Sequence, residues 1–305
     1  MGDLQLPSLA ELRASALFQY GESRLSVSNI VGDVRKIHQK SQFRGALFQV
    51  ASQFNVLEMV SPGVSPEVGV SGYAFDRTQG PACAIAAGAA TIYRNYLFPL
   101  AGGLGQTADR QINTLADLSQ ALGTSLATDA GDLLPMKNGY ALPKKSNLER
   151  INSVLSAMTE AELEDLKGKL RIGFHRDVEV TDVQAEKPLI VSQAFCSALP
   201  VAYSEISVDV WEPFARLVLE AAYEATLWAG LINHARGGSN KVLLTRLGGG
   251  AFGNRDSWID DAIGKCLEQF RDSGLEVVFV SSRSTPRSMI DLAEKHGGRQ
   301  VQPDF

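Results

Sequence analysis

One run governs what this chain can fold into. Gly248-Gly249-Gly250-Ala251-Phe252-Gly253-Asn254 follows the Val- and Leu-rich stretch 241–247 and precedes a helical stretch, 256–273. A strand that turns through glycines into a helix is one step of a β–loop–α alternation. The rest of the chain repeats that step. Residues 47–51, 188–195 and 275–281 read as strands, and 78–96, 211–235 and 289–296 as helices. Pro81 suits the first turn of the 78–96 helix, where its missing N–H would have no partner anyway. A sheet with helices on both faces is the architecture this pattern predicts.

Length and charge bound the organisation. At roughly 150 residues per domain, 305 residues allow one large domain or two ordinary ones. No linker or repeat divides the chain, so 1–305 reads as a single domain. Within it, 106–170 is more polar and helical, with helices expected over 147–157 and 159–169, and reads as a helical insertion or lid. Thr159 and Glu162 have the spacing of a capping box. A formal charge of −5 argues against nucleic acid, which draws on clustered Lys and Arg. No apolar run approaches the ~18 residues a membrane span needs. The N-terminus lacks a basic region followed by an apolar core, so no secretory signal is expected. Three scattered cysteines read as reduced thiols in the cytoplasm. No His, Cys or Asp spacing suggests a metal.

Three stretches carry chemistry. The glycine run lets backbone N–H groups converge on an anion, and the following helix N-terminus adds partial positive charge, which suits a phosphate or diphosphate. A tight turn is the bland alternative, but it does not need Gly248, Gly249, Gly250 and Gly253 together. The same run matches G-x-G-x-x-G, so an NADP-dependent oxidoreductase stays open, with Ser281-Ser282-Arg283 after the next strand suiting a 2′-phosphate. In the second stretch, Asp76 and Gln79 precede a helix start. Asp76 either caps that helix or meets ribose hydroxyls and water, and Gln79 adds an amide contact. Cys83 in the same stretch reads as a buried structural thiol rather than a nucleophile, because no base is brought near it by the sequence. In the third, the strand 47–51 ends in polar residues, Gln53, Asn55 and Glu58, at the sheet edge where ligands of α/β proteins bind.

Taken together, the strings FQVASQFNVLEM, DRTQGPACAIAAGAATIYRNY, SQAFCSALPVAYS and LLTRLGGGAFGN resemble the macrodomain superfamily, and within it the arginine-specific ADP-ribosyl hydrolase group. The resemblance covers most of 27–281. It implies an α/β fold, a macrodomain-like α/β/α sandwich with a mixed central sheet, helices on both faces and a helical insertion. It implies ADP-ribose as ligand, an ADP-ribosylated protein as substrate (ubiquitin is one in that group), removal of ADP-ribose from arginine, and no cofactor. Gly248, Gly249, Gly250, Ala251, Phe252, Gly253 and Asn254 match the diphosphate loop, with Phe252 packing on the distal ribose. Asp76 matches the acidic residue beside that ribose, and Gln53 and Asn55 the polar end of the first core strand. The paired glutamates of the poly(ADP-ribose) glycohydrolase signature are absent. A second catalytic carboxylate must then come from Glu67 or Glu58; without one, the chain is a reader that binds ADP-ribose and does not cleave it.

Overall fold

The computed structural model describes residues 1–15, 23–183 and 186–297. In chain order the first elements are β1 (Asp3–Gln5), α1 (Leu9–Ser15), β2 (Ser26–Val31), α2 (Val34–His38), β3 (Leu47–Ala51), α3 (Gln79–Ala86) and α4 (Gly88–Ile92). A hairpin of β4 (Pro99–Leu100) and β5 (Gly103–Leu104) leads to α5 (Ala116–Ser125) and α6 (Ala130–Leu133). A second hairpin of β6 (Met136–Lys137) and β7 (Tyr140–Ala141) is followed by α7 (Lys145–Ala157) and α8 (Glu160–Gly168). The chain then runs through β8 (Gly173–Glu179), β9 (Ile190–Cys196), α9 (Val208–Ala235), β10 (Lys241–Leu244), α10 (Asp256–Gln269), β11 (Glu276–Ser281) and α11 (Arg287–Lys295).

Seven strands form one mixed sheet in the order β1-β8-β9-β3-β10-β11-β2. The five from β9 to β2 are parallel, and β8 and β1 add antiparallel at one end. Alternate side chains of each strand enter two cores, as a period of two requires. Val242 and Leu244 face the core built with α9 and α10, whereas Leu243 faces the one built with α2 and α3. The strands are apolar on both faces because helices cover both.

The segment 106–170 does not stand apart from this plan. Leu148, Ile151 and Leu155 recur along one face of α7 and join the same core as Trp211, Phe214 and Leu217 of α9. The capping box at the start of α8 forms, with Thr159 Oγ1 accepting from the Glu162 N–H and the Glu162 carboxylate accepting from the Thr159 N–H. Only the β6–β7 hairpin of this segment reaches the crevice described below.

The helix expected over 78–96 is in fact three pieces. Ala87 leaves helical geometry (φ −116°, ψ 57°), and the Gly88 N–H donates instead to Thr181 Oγ1 at 2.9 Å. After α4 the chain widens into a π-turn over Tyr93–Leu97, which turns Arg94 and Asn95 inward. Expected strand and helix ends also move. β10 stops at Leu244, three residues early, because 245–247 peel away from the sheet, and α10 ends at Gln269.

Candidate functional site

β3 and β10 pair only at Leu47 and Phe48, then splay apart toward their C-terminal ends. β3 leads to the β9 side of the sheet and β10 to the β11 side, so the gap is a topological switch point, where open α/β sheets bind ligands. Gln79, from the first turn of α3, fills the exposed ladder. Its Oε1 accepts from the Ala51 N–H and its Nε2 donates to the Gln49 carbonyl, both at 2.8 Å. The amide stands in for the missing strand and fixes α3 against the sheet.

Two connected chambers open from this gap. The inner one, about 160 Å³, is lined by Gln53, Glu58, Asp76, Gln79, Tyr140, Tyr203 and the loop residues Gly248, Gly250, Ala251 and Phe252, among others. The outer one, about 750 Å³, lies beyond the ends of β2 and β11 and shares Asp76, Thr78, Gln79, Thr245, Arg246 and Gly250 with the inner. The inner chamber is below the ~300 Å³ at which ligand sites usually begin, so a ligand larger than a sugar must occupy both.

Glu58 is a buried polar group of the inner chamber's lining. It sits in a short loop after β3 whose geometry is over-determined. Val56 holds φ +57°, a conformation a β-branched residue rarely adopts. Three contacts hold it there. Asn55 Oδ1 accepts from the Leu57 N–H (3.1 Å), Gln53 Oε1 from the Met59 N–H (2.8 Å), and Arg94 Nε donates to the Val56 carbonyl (3.2 Å). Both carboxylate oxygens of Glu58 are buried and accept no hydrogen bond in the protein. The Arg94 guanidinium lies 3.6 Å away, itself fully buried and stacked 3.8 Å over the Phe195 ring. Burial pushes the Glu58 carboxyl up to about 7, against the pull of Arg94 and the nearby Tyr73 hydroxyl, while the charge of Asp76 pushes it further up.

Asp76 lies at the junction of the two chambers, half-buried. Its Oδ1 accepts from the Thr78 N–H at 2.8 Å, leaving the second oxygen free to face the crevice. The glycine loop forms the other wall. Gly248 adopts φ +75°, and a Cβ there would lie 2.5 Å from the Ala198 Cβ, so no other residue fits without displacement. The N–H groups of Gly250, Ala251 and Phe252 donate to no other group among the described residues and are available to an anion. Phe252 packs against Tyr140 and Tyr203, with ring centroids 5.4 and 5.6 Å away.

Not every residue singled out in the sequence lines the crevice. Glu67 is not brought to it: the 3₁₀ turn Pro66–Val68 sends its carboxylate to the Ala108 N–H (2.7 Å), and that bond lowers its pKa. Asn55 is buried behind the crevice wall, donating to Gln111 Oε1 (2.9 Å). Asn254 closes the glycine loop on itself, donating to the Leu199 and Gly248 carbonyls. Gly249 and Gly253 shape the loop without lining either chamber, packing toward Ile259 and Ala202. Cys83 is fully buried, and burial holds its thiol well above the ordinary range, the reverse of what a nucleophile needs. Sequence reasoning passed over Tyr140, Tyr203 and Arg94. The signal that could have found Tyr140 is Asn138-Gly139, the signature of a two-residue hairpin turn, which puts Tyr140 at a strand start.

Another groove, about 570 Å³, lies among α7, α8, α9 and α10. Most of its charges are already paired, Arg216 with Glu212 and Asp261, Lys265 with Glu220, and Glu224 with Arg13. Among the described residues no cluster of His, Cys, Asp or Glu could hold a metal ion, and no helix is long and apolar enough to cross a membrane.

No family model matches the chain, and no curated protein matches it. Among solved structures it is similar to the poly(ADP-ribose) glycohydrolase of Deinococcus radiodurans in complex with ADP-ribose, at 12% identity over 96% of this chain and 94% of that one, with a TM-score of 0.49. It is also similar to the poly(ADP-ribose) glycohydrolase of Thermomonospora curvata, at 12% identity over 96% of this chain and 85% of that one, with a TM-score of 0.45. At such identities and scores the likeness assigns no role to any residue.

Proposed function

We propose that this chain is a hydrolase of the N-glycosidic bond that joins ADP-ribose to an arginine side chain of a modified protein, ubiquitin being one candidate. The observation that carries the reading is the pairing of Glu58 and Asp76 at the inner chamber: a buried carboxyl raised to about 7 beside a second carboxyl at the rim. Two carboxyl groups in unlike environments divide acid and base roles in glycoside chemistry. The macrodomain-like sequence strings and the glycine loop supply the ligand class. In this reading the distal ribose enters the inner chamber against Phe252, the diphosphate lies along the free N–H groups of Gly250, Ala251 and Phe252, and the adenosine extends into the outer chamber.

The chemistry follows from that placement. As the bond from C1″ to the guanidine nitrogen lengthens, its electron pair leaves with nitrogen and positive charge grows on the ribose ring. The Asp76 carboxylate stabilises that charge and orients water. The water oxygen bonds to C1″, and its proton is taken up while the leaving guanidine gains one. In this reading Glu58, whose side chain lines the inner chamber and whose carboxyl burial raises to about 7, serves that transfer through a water admitted between it and the ribose. The products are ADP-ribose and an unmodified arginine. Three buried, unpaired thiols, Cys83, Cys196 and Cys266, accord with a reducing compartment such as the cytoplasm.

One observation favours a binding-only reading: both oxygens of Glu58 are covered by protein, leaving Asp76 as the carboxylate that reaches the chamber. The test is hydrolysis of arginine-linked and glutamate-linked ADP-ribosyl protein by the wild type and Asp76→Asn. Release from the arginine substrate alone, reduced at least a hundredfold in the variant with ADP-ribose affinity kept, supports the enzyme. ADP-ribose binding without release would establish a reader.

A further inference from the structure

The outer chamber is lined by more arginines than carboxylates. Four arginines line it: Arg35, Arg77, Arg246 and Arg283. Arg35 is paired with Asp182 at 2.5 and 2.8 Å, and Arg246 with Asp256 and Asp260. Arg77 and Arg283 make no side-chain hydrogen bond or ion pair with any other described residue. The carboxylates in the same lining, Asp33 and Asp76, each accept a backbone N–H, from Arg35 and Thr78. Two separate turns, one before α3 and one after β11, therefore bring unpaired guanidinium groups to one chamber. Ser281 and Ser282 line it beside Arg283.

Those groups are surplus to the diphosphate, which the glycine loop accommodates. We propose that Arg77 and Arg283, with the Ser281 and Ser282 hydroxyls, form a second anion subsite. It takes a phosphate carried on the adenosine side of the nucleotide, beyond the diphosphate. The inference rests on the ADP-ribose reading of the crevice. A guanidinium binds phosphate through paired, charge-assisted N–H bonds, and an unpaired one at a ligand-sized chamber gains most from an arriving anion. The shared chemistry has two sources: a phosphomonoester on the adenosine 2′ oxygen, or the next ADP-ribose unit of a chain joined at that oxygen.

Calorimetric titration of the full chain separates these cases. The probes are ADP-ribose, ADP-ribose 2′-phosphate and a linear ADP-ribose dimer, each at low and at moderate salt. The 2′-phosphate is expected to bind about tenfold more tightly than ADP-ribose at low salt, with the gain shrinking as salt screens it. Arg283→Ser and Arg77→Ser should each lower affinity for the 2′-phosphate far more than for ADP-ribose, so that most of the gain is lost. A gain for the dimer as well assigns the subsite to chains; a gain for the monophosphate alone assigns it to a phosphomonoester. Affinities for all three within twofold, or an equal loss for all three in Arg283→Ser, would overturn the subsite. Failure of ADP-ribose itself to bind would overturn the underlying reading, and the subsite with it.

Discussion

Replacing Glu58 with glutamine should make the protein more stable and less active, and the stability gain should depend on pH. The carboxyl is buried, Arg94 and the Tyr73 hydroxyl offset that burial only in part, and its pKa stands at about 7 against an ordinary 4.5. A carboxyl raised in the folded state costs the fold nothing below pH 4.5, where it is neutral in both states. Between 4.5 and 7 the unfolded chain gains from ionising and the folded chain does not, so stability falls as pH rises. A gap of 2.5 at 1.36 kcal/mol per pH unit gives a cost of roughly 3 kcal/mol at pH 8. Glutamine mimics the neutral acid in shape and never ionises. Urea denaturation of wild type and Glu58→Gln at intervals from pH 4 to 8 should show curves that agree at pH 4 and diverge by roughly 3 kcal/mol at pH 8. A constant difference would mean that the carboxyl is not perturbed. A variant that becomes the less stable of the two above pH 4.5 would mean that attraction to Arg94 outweighs burial, and the argument for a proton-exchanging Glu58 would fall with it.

Two further outcomes follow from packing and pairing. A methyl group at position 80 would lie 2.1 Å from the Ala51 carbonyl oxygen and 2.8 Å from the Glu58 Cγ, so Gly80→Ala should destabilise by about 2–3 kcal/mol, read by thermal or urea unfolding, and abolish hydrolysis. Arg13 holds the buried Glu224 at 2.7 Å and also reaches Glu164. Burial pushes the Glu224 carboxyl up, yet Arg13, Gln269 and Trp228 bring it below its ordinary value, so this stability is present at neutral pH and lost on acidification. Arg13→Ala should cost about 2 kcal/mol at pH 7, less than a fully buried pair because Arg13 is part-exposed, and the cost should shrink toward pH 3.

What the sequence disclosed, and what it did not, follows the range of the forces involved. Strands and helices with a continuous apolar face were legible: β3, β9, β11, α9 and the capped α8 lie within a few residues of their expected limits. β2 and β8 were passed over because their sequences, SVSNIV and GFHRDVE, mix polar and charged residues into the strand pattern. His175 and Asn29 are buried only because neighbouring strands and helices cover them, which no local window records. The crevice divides the same way. The glycine loop and the polar end of β3 were visible as local strings. The π-turn that turns Arg94 inward, and the hairpin that carries Tyr140 from a distant segment to Phe252, are products of tertiary packing. Glu67 and Glu58 look equivalent along the chain. What separates them is that a 3₁₀ turn carries one outward and a strained loop holds the other in.

That strained loop argues for function on energetic grounds. A β-branched residue at φ +57° costs the fold of order 1–3 kcal/mol, and the ionised Glu58 behind it costs roughly 3 kcal/mol more. Three side chains, Asn55, Gln53 and Arg94, spend their hydrogen bonds on keeping the loop in place. A fold with a net stability of order 5–15 kcal/mol gives up a large fraction of it at one point on the sheet edge. The point lies between the ends of the splayed strands, next to Asp76 and across from a loop with three unused N–H groups. Under the proposed function, strain gathered where the inner chamber, two carboxyls and a loop with free N–H groups meet is what a site that must hold a carboxyl in readiness requires. Replacing Glu58 removes the desolvation part of that cost, and in the proposed hydrolase it does so at the expense of the chemistry.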